Sequence, residues 1–158
     1  MSVVEKLLQG SIDMHIHYGP DPRVERRVDV LQAARQAQEA GMRAIVLKSH
    51  DYSTAPLAYM ANQVVANIAV IGSICLNLEV GGLNPHALEG SAKLGAKVVW
   101  MPTFTSANDM SKRGITEGGI TILNEEGRLL PVVGDILDIT KGYQMVLATA
   151  HISATESF

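Results

Sequence analysis

Two patterns of apolar positions alternate along this chain. Short runs are apolar at nearly every position, which is typical of strands buried on both faces. Between them, apolar side chains recur three or four residues apart, which predicts helices. The predicted strands are residues 11–17, 43–50, 69–82, 96–103 and 144–151, and the predicted helices are residues 28–42, 55–68, 84–95 and 132–143.

Several residues have the character of helix starts. Asn84 followed by Pro85 is typical, because the asparagine side chain caps free backbone N–H groups and proline tolerates the first helical position. Thr54 is a candidate cap for the second predicted helix. Ser153 and Glu156 have the spacing of a capping box, which predicts a further helix there.

The order of these elements predicts an α/β fold with a parallel sheet covered by helices. Two architectures fit, an open doubly wound sheet and part of a (β/α)8 barrel. Residues 119–131 interrupt the alternation after the fourth strand and predict a small hairpin. The chain has 158 residues, fewer than the roughly 250 of a complete barrel, and contains no linker. We therefore expect one domain, residues 1–158.

The first predicted strand carries two histidines near its carboxyl end, His15 and His17. Because side chains alternate along a strand, Asp13 shares one face with both histidines, and the apolar residues between them share the other. Two histidines at this spacing can hold one metal ion, with Asp13 hydrogen-bonding a ligand from behind. A hydrogen-bonded pair of core histidines explains the motif equally well.

Polar side chains also end the other predicted strands. They are in phase as Lys48 with His50, Asn77 with Glu79, and Thr149 with His151. Four of the five histidines thus lie at carboxyl ends of strands, the edge where parallel α/β folds build active sites. His50, Lys48 and Glu79 are the candidate catalytic residues. A solvent-reaching lysine and a turn-stabilising carboxylate are the alternatives for Lys48 and Glu79.

Other reactive residue types have simpler explanations. We expect His86, in the first turn of a predicted helix, at the surface, and Cys75, within an apolar run, buried and unreactive. Arg23, Arg26 and Arg27 follow the first strand and are expected to be solvated. A single cysteine excludes an intramolecular disulfide and favours the cytoplasm.

Composition and charge narrow the function classes further. The net charge is −3 and no basic stripe is present, which argues against nucleic acid and anionic membrane surfaces as partners. No apolar run approaches the roughly 18 residues of a membrane span, and no signal peptide is evident. Phosphate-binding glycine loops and nucleophilic-serine elbows are also missing. Metal chemistry on a small-molecule substrate is the leading expectation.

A set of motifs resembles one group of proteins. The segment "IDMHIH" resembles the first strand of the metal-dependent amidohydrolase superfamily. Together with "AGMRAIVLKSHDYST", "VGGLNP", "VVWMPT", "ILNEEGRLLP" and "VLATAHIS", it is similar to uncharacterised amidohydrolase-like TIM-barrel proteins over almost the whole chain. The resemblance implies a partial (β/α)8 barrel with a hairpin insertion after strand four.

The resemblance also implies a metal site and an activity. In that superfamily the first-strand H-x-H motif and a strand-five histidine bind a divalent metal, and these positions are His15, His17 and His151 here. Zinc is the metal expected first, with manganese, iron and nickel as alternatives. The implied reaction is hydrolysis of a small cyclic amide, ester or phosphoester.

The sequence departs from the superfamily in its second half. A sixth-strand histidine and an eighth-strand aspartate have no counterpart, so the chain has the character of a barrel truncated after strand five. We expect weak or no hydrolysis by this chain alone. The alternatives are an incomplete barrel that acts as a metal-binding, small-molecule-binding or assembly module, and an open-sheet small-molecule binder.

Association of copies is a further expectation. Strands one and five would be open edges, and unpaired N–H and C=O groups at an edge favour association. An inner face that includes Val46, Cys75 and Leu147 would also have no opposite wall to cover it. We therefore expect a homo-oligomer.

Overall fold

The structure, a computed structural model, describes residues 2–158. Its elements in chain order are α1 (Val3–Leu8), β1 (Ile12–Ile16), α2 (Val30–Glu39), β2 (Ala44–Leu47), α3 (Ala55–Val64), β3 (Ala69–Ile71), β4 (Ser73–Cys75), α4 (Pro85–Lys93), β5 (Val98–Trp100), α5 (Ala107–Lys112), α6 (Pro131–Gly142), β6 (Val146–Ala148) and α7 (Ala154–Ser157). A 3₁₀ turn, Leu78–Val80, lies between β4 and α4. The four predicted helices are confirmed as α2, α3, α4 and α6, whereas α1 and α5 were not predicted.

The strands form two three-stranded parallel sheets, in the orders β1-β2-β3 and β4-β5-β6. In each sheet, strands that are neighbours in space are also neighbours in sequence. The α/β class and the parallel pairing are therefore confirmed. Residues 2–158 form no closed barrel.

The predicted third strand, residues 69–82, is wrong as a single strand because Gly72 divides it into β3 and β4. A Cβ atom on Gly72 would lie 2.6 Å from Ala55 Cα, so the close approach to the first residue of α3 requires glycine. On either side of the break the pairing changes, since β3 pairs with β2 and β4 pairs with β5. Beyond Cys75 the chain leaves the sheet for the 3₁₀ turn.

The two faces of the strands are buried against different partners. Ile45 and Leu47 of β2 pack with α2 and α3, whereas Val46 packs on the opposite face with Cys75 and Trp100. Val46 and Cys75 are fully buried, so the expectation that this face is uncovered is wrong for them. The large ring of Trp100, from β5, supplies the cover.

Leu147 does not belong to that inner face. It pairs with Val99, whose side chain packs in the cluster that includes residues of α4 and α6. Residues paired across parallel strands share a face, so Leu147 lies on the helix side of β6, where it is 37% exposed. The prediction that Leu147 lies on the inner face is therefore wrong, because its side chain is on the opposite face of β6.

The predicted caps are mostly confirmed. The Asn84 side chain accepts a hydrogen bond from the Ala87 N–H at 3.1 Å, and Ser153 with Glu156 forms the capping box of α7. Thr54 precedes α3 but does not cap it, because its hydroxyl donates to the Leu47 carbonyl instead.

The predicted hairpin is reduced to one antiparallel bridge, Leu123 with Leu129, around the turn at residues 124–127. The two segments that flank this turn within residues 119–131 therefore do not pair as two strands. Within residues 2–158, no helix combines the length and the apolar character that crossing a membrane demands.

Candidate functional site

His15 and His17 face each other at the carboxyl end of β1. Their Nε2 atoms are 3.1 Å apart and their ring centroids 5.1 Å apart. A hydrogen bond accounts for this distance if one of the two nitrogens carries a hydrogen. Two ligands of one zinc ion have similar spacing, since Zn–N bonds of about 2.0–2.1 Å in a tetrahedron place two nitrogens about 3.3 Å apart.

Asp13 does not support a histidine ring. The β1–β2 register is irregular between Asp13 and Ile16, which pair with Ile45 and Leu47 on one face of β2. Alternation along β1 is interrupted there, so the predicted face shared by Asp13 and the histidines is wrong. Asp13 Oδ1 instead accepts a hydrogen bond from the backbone N–H of His15 at 3.0 Å.

Burial and nearby positive charge keep both rings of the pair neutral. The pKa of His15 is lowered, first by loss of water around the ring and then by Lys48. The pKa of His17 is lowered to about 4, first by burial and then by Arg26. At neutral pH both rings are uncharged, which is the state that binds a metal ion.

Six rings follow one another along this edge of the fold. In order they are Trp100, His15, His17, His50, Phe104 and His151, with successive centroids 5.1, 5.1, 4.9, 4.1 and 5.7 Å apart. The four strand-end histidines therefore belong to one connected set of rings. Phe104, in the segment after β5, contacts both His50 and His151, and His151 is near enough to His15 to affect its pKa.

His151 is held by a residue that sequence reasoning missed. Its Nδ1 lies 3.0 Å from Asp109 Oδ1, on the unpredicted helix α5. The strand β6 ends at Ala148, and Ala150 has a φ of +54°. The alternation of side chains along the strand therefore stops before His151. The predicted alignment of His151 with Thr149 on one face consequently does not determine where the His151 ring lies.

The structure brings two of the three predicted metal ligands together. His15 and His17 are in contact, whereas the ring of His151 contacts Phe104 and is near enough to His15 to lower its pKa. Within residues 2–158, no three histidine, cysteine, aspartate or glutamate side chains converge to hold a metal ion. A third ligand from His151 stays a prediction.

Lys48 is a buried cation at the end of β2. Its side chain is 3% exposed, and its Nζ lies 4.3 Å from the centroid of the Trp100 ring. Among the described residues, no carboxylate or carbonyl accepts a hydrogen bond from Nζ. Burial lowers the pKa of Lys48. Most of the residue is buried, but Nζ is not among the buried atoms without a partner, so the alternative of a solvent-reaching lysine stays open.

His50 belongs to a fully buried hydrogen-bond network. Its Nδ1 lies 2.8 Å from Thr103 Oγ1, and Asn77 Nδ2 donates to both the His50 carbonyl and Thr103 Oγ1. Burial, and then the charge of Lys48, lower the pKa of His50 to about 4. Phase along the strand found Asn77, whereas Thr103 carried no signal beyond its position after β5.

Glu79 is directed to an arginine and not to the histidines. Arg23 contacts the Glu79 carboxylate and also donates from Nε to Asp51 Oδ1 at 2.8 Å. Arg26 pairs with Asp21 at 2.6 Å. Arg23 and Arg27 are exposed, as expected of solvated residues, and Arg23 and Arg26 in addition form ion pairs with carboxylates.

The two residues expected to be inert are placed as predicted. His86, the second residue of α4, is exposed. Cys75 is fully buried, and burial raises the pKa of its thiol to about 12. A thiol with that pKa is not a nucleophile at neutral pH.

Parallel strands joined by helices, with polar side chains and histidines gathered at the carboxyl ends, define an α/β protein. The profile of DUF6282, a family of unknown function, matches residues 10–158. The chain therefore belongs to that family. A search of curated proteins found no match.

Proposed function

We propose that this chain forms a partial, amidohydrolase-like (β/α)8 barrel. Its edge of histidines would act in metal-dependent hydrolysis of a small cyclic amide, ester or phosphoester. The observation that carries the proposal is the 3.1 Å approach of two Nε2 atoms, from His15 and His17, at the carboxyl end of β1.

The strand order supports the barrel. In both sheets the order in space follows the order in sequence, as it does around a (β/α)8 barrel. A doubly wound sheet reverses its strand order at a switch point, and that is where it binds ligands. The aromatic and histidine rings described above lie at the carboxyl ends of the strands, which is where barrel active sites are built.

The donor set fits a divalent cation at His15 and His17, and imidazole nitrogens suit zinc. Both rings are neutral at neutral pH, and their facing nitrogens have the spacing of two ligands of one ion. Asp109 holds Nδ1 of His151, which leaves Nε2 of this predicted third ligand available. A bound cation would supply Lewis-acid polarisation of a substrate oxygen and promote ionisation of a water molecule.

Other side chains of the edge would position the substrate. The Lys48 ammonium lies beside the Trp100 ring and has no acceptor among the described residues, so it can bind a substrate oxygen. Trp100 and Phe104 provide apolar walls on either side of the histidines. The ion pair with Arg23 favours a role for Glu79 in holding the loop after β1 over the predicted catalytic role.

The proposal includes association of copies in the cytoplasm. Apolar residues are exposed on two of the edge strands, Ile12 and Met14 on β1 and Val146 on β6. Light scattering of the full chain at micromolar concentration measures association, and a stable monomer would contradict it. A small molecule is the expected ligand, and no basic surface suggests nucleic acid.

Elemental analysis of the purified chain tests the metal site. We expect bound divalent metal in the wild type and its loss in the double variant His15→Ala/His17→Ala. The matched control is His86→Ala, which removes an exposed histidine outside the edge and should retain the metal. Equal metal content in the wild type and the double variant would overturn the proposal.

Turnover is measured on the same three proteins with lactones, amides, esters and phosphoesters, in the presence of zinc or manganese. Weak turnover that is lost in the double variant and kept in His86→Ala supports the hydrolase. Bound metal without any turnover favours the alternative, an incomplete barrel that binds metal or small molecules or assists assembly.

A further inference from the structure

The hydrogen bonds around His50 have directions that the chemistry of their atoms fixes. The Thr103 backbone N–H donates to the side-chain oxygen of Asn77 at 2.7 Å, and a backbone N–H has no other role than donor. The Asn77 amide nitrogen donates to the His50 carbonyl at 3.0 Å, and a carbonyl has no other role than acceptor. The two contacts together orient the Asn77 amide without ambiguity.

The orientation of Asn77 then determines what the Thr103 hydroxyl does. The second hydrogen of Asn77 Nδ2 is donated to Thr103 Oγ1 at 2.7 Å. The hydroxyl has one hydrogen of its own, and the remaining polar atom bonded to it among the described residues is His50 Nδ1, at 2.8 Å. Thr103 is fully buried, so a hydroxyl hydrogen directed elsewhere would be left without an acceptor.

We infer that Asn77 and Thr103 hold His50 as the tautomer protonated on Nε2, so that the ring offers a hydrogen-bond donor to a substrate oxygen. The tautomer follows from the hydrogen bonds alone, whereas the substrate contact rests on the proposed function. Nδ1 accepts from the Thr103 hydroxyl, and a neutral imidazole that accepts at Nδ1 carries its hydrogen on Nε2.

This assignment separates His50 from the histidine pair. A base or a metal ligand needs a lone pair on its accessible nitrogen, and the lone pair of His50 is used by Thr103. Its Nε2 forms no hydrogen bond with any described residue and is not among the buried, unpartnered atoms. The ring is fixed between His17 and Phe104, with centroids 4.9 and 4.1 Å away. The Nε2–H group is thus a hydrogen-bond donor of fixed orientation that has space for an acceptor.

The same part of the edge indicates the class of ligand. Lys48 Nζ is a second donor without an acceptor among the described residues, and its charge is close enough to lower the pKa of His50. Two donors and no acceptor favour a ligand that presents carbonyl, carboxylate or phosphoryl oxygen. Asn77 and Thr103 do not reach the ligand in this scheme and act as positioning residues.

Nitrogen NMR of the full chain labelled with ¹⁵N-histidine, free of metal and near neutral pH, tests the tautomer. His50 is assigned from the resonances that disappear in His50→Gln. We expect an unprotonated Nδ1 and a protonated Nε2 in the wild type. A protonated Nδ1 would overturn the inference, whatever the metal and turnover experiments give, because this readout requires neither metal nor substrate.

Three variants test the positioning role. Thr103→Val keeps the side-chain shape and removes the donor, so the His50 Nδ1 resonance should move, and Thr103→Ser should restore it. Thr105→Val is the matched control, since the Thr105 hydroxyl contacts Asn77 but not His50. An unmoved Nδ1 resonance in folded Thr103→Val would overturn the role of Thr103. If that variant does not fold, the wild-type spectrum still decides the tautomer.

Discussion

The histidine pair, His15 and His17, and the Asn77 network, which is Asn77, Thr103, Thr105 and His50, lie on the same edge but are built differently. The pair lies on an edge strand of mostly exposed residues. Its rings meet edge to face, and the ring of His17 stacks on that of His50. In the network, Asn77 and Thr103 are fully buried, and the side chain of Asn77 alone takes part in four hydrogen bonds.

This difference separates a scaffold from a binding surface. The buried side chains of Asn77 and Thr103 have an acceptor for each of their donors, so they have one arrangement, since breaking any contact leaves a polar atom without a partner. The pair has a facing contact between two nitrogens that either share a hydrogen or bind a ligand. We therefore expect stability to depend on the network and ligand binding to depend on the pair.

The largest effect is expected for Asn77→Ala. It removes a buried amide and leaves the Thr103 N–H and the His50 carbonyl without their partner. We expect a loss of roughly 3–5 kcal/mol in the free energy of unfolding, measured in urea. His15→Ala should change it by less than about 0.5 kcal/mol, as should the exposed control Gln63→Ala. Equal losses for Asn77→Ala and His15→Ala would remove the distinction between the two regions.

An intermediate effect is expected from pH. The pKa of His50 falls from 6.5 to about 4 on folding, so the unfolded chain binds the additional proton between these values. Stability is therefore complete above about pH 6.5 and decreases as the pH falls toward 4. We expect a contribution on the order of 2 kcal/mol from His50, measured by urea unfolding at pH 7 and pH 4.5.

The variant His50→Gln isolates this contribution. Its unfolding free energy should change less between the two pH values than that of the wild type, whereas His86→Ala, at an exposed position, should behave as the wild type does. The same pH dependence in all three proteins would mean that the network does not hold a neutral His50.

The smallest effect is expected for Glu79→Gln. Its partner Arg23 is partly exposed, and ion pairs of this kind contribute little. We expect a loss below about 1 kcal/mol, and metal content equal to that of the wild type. A loss of bound metal in this variant would instead mean that Glu79 contributes to the metal site at the histidine pair.

The parts of the fold that depend on hydrophobic period could be predicted from the sequence. Helices α2, α3, α4 and α6 and the parallel strands follow from spacing, and Asn84 and Ser153 follow from capping chemistry. Helix α5 was missed because "ANDMSK" has no apolar stripe. Without α5 in view, Asp109 could not be found as the partner of His151.

Strand alternation explains both what was found at the site and what was misplaced. It drew attention to His50 and Asn77, although both lie beyond the last residues of β2 and β4. It failed for Asp13, where the β1 register is irregular, and for His151, which follows a residue with positive φ. Period-two reasoning holds only while the backbone remains extended, and sites often lie where it ceases to be.

Gly72 has a counterpart elsewhere in the chain. A Cβ atom on Gly119 would lie 2.5 Å from Ala107 Cα, at the first residue of α5, as one on Gly72 would meet Ala55 at the first residue of α3. In both cases the obstructing atom belongs to the backbone. A smaller side chain at either alanine would not make room, so substitution of the alanines cannot permit a larger residue at these two glycine positions. In evolutionary terms, each is fixed by the path of the chain and not by the identity of its neighbour.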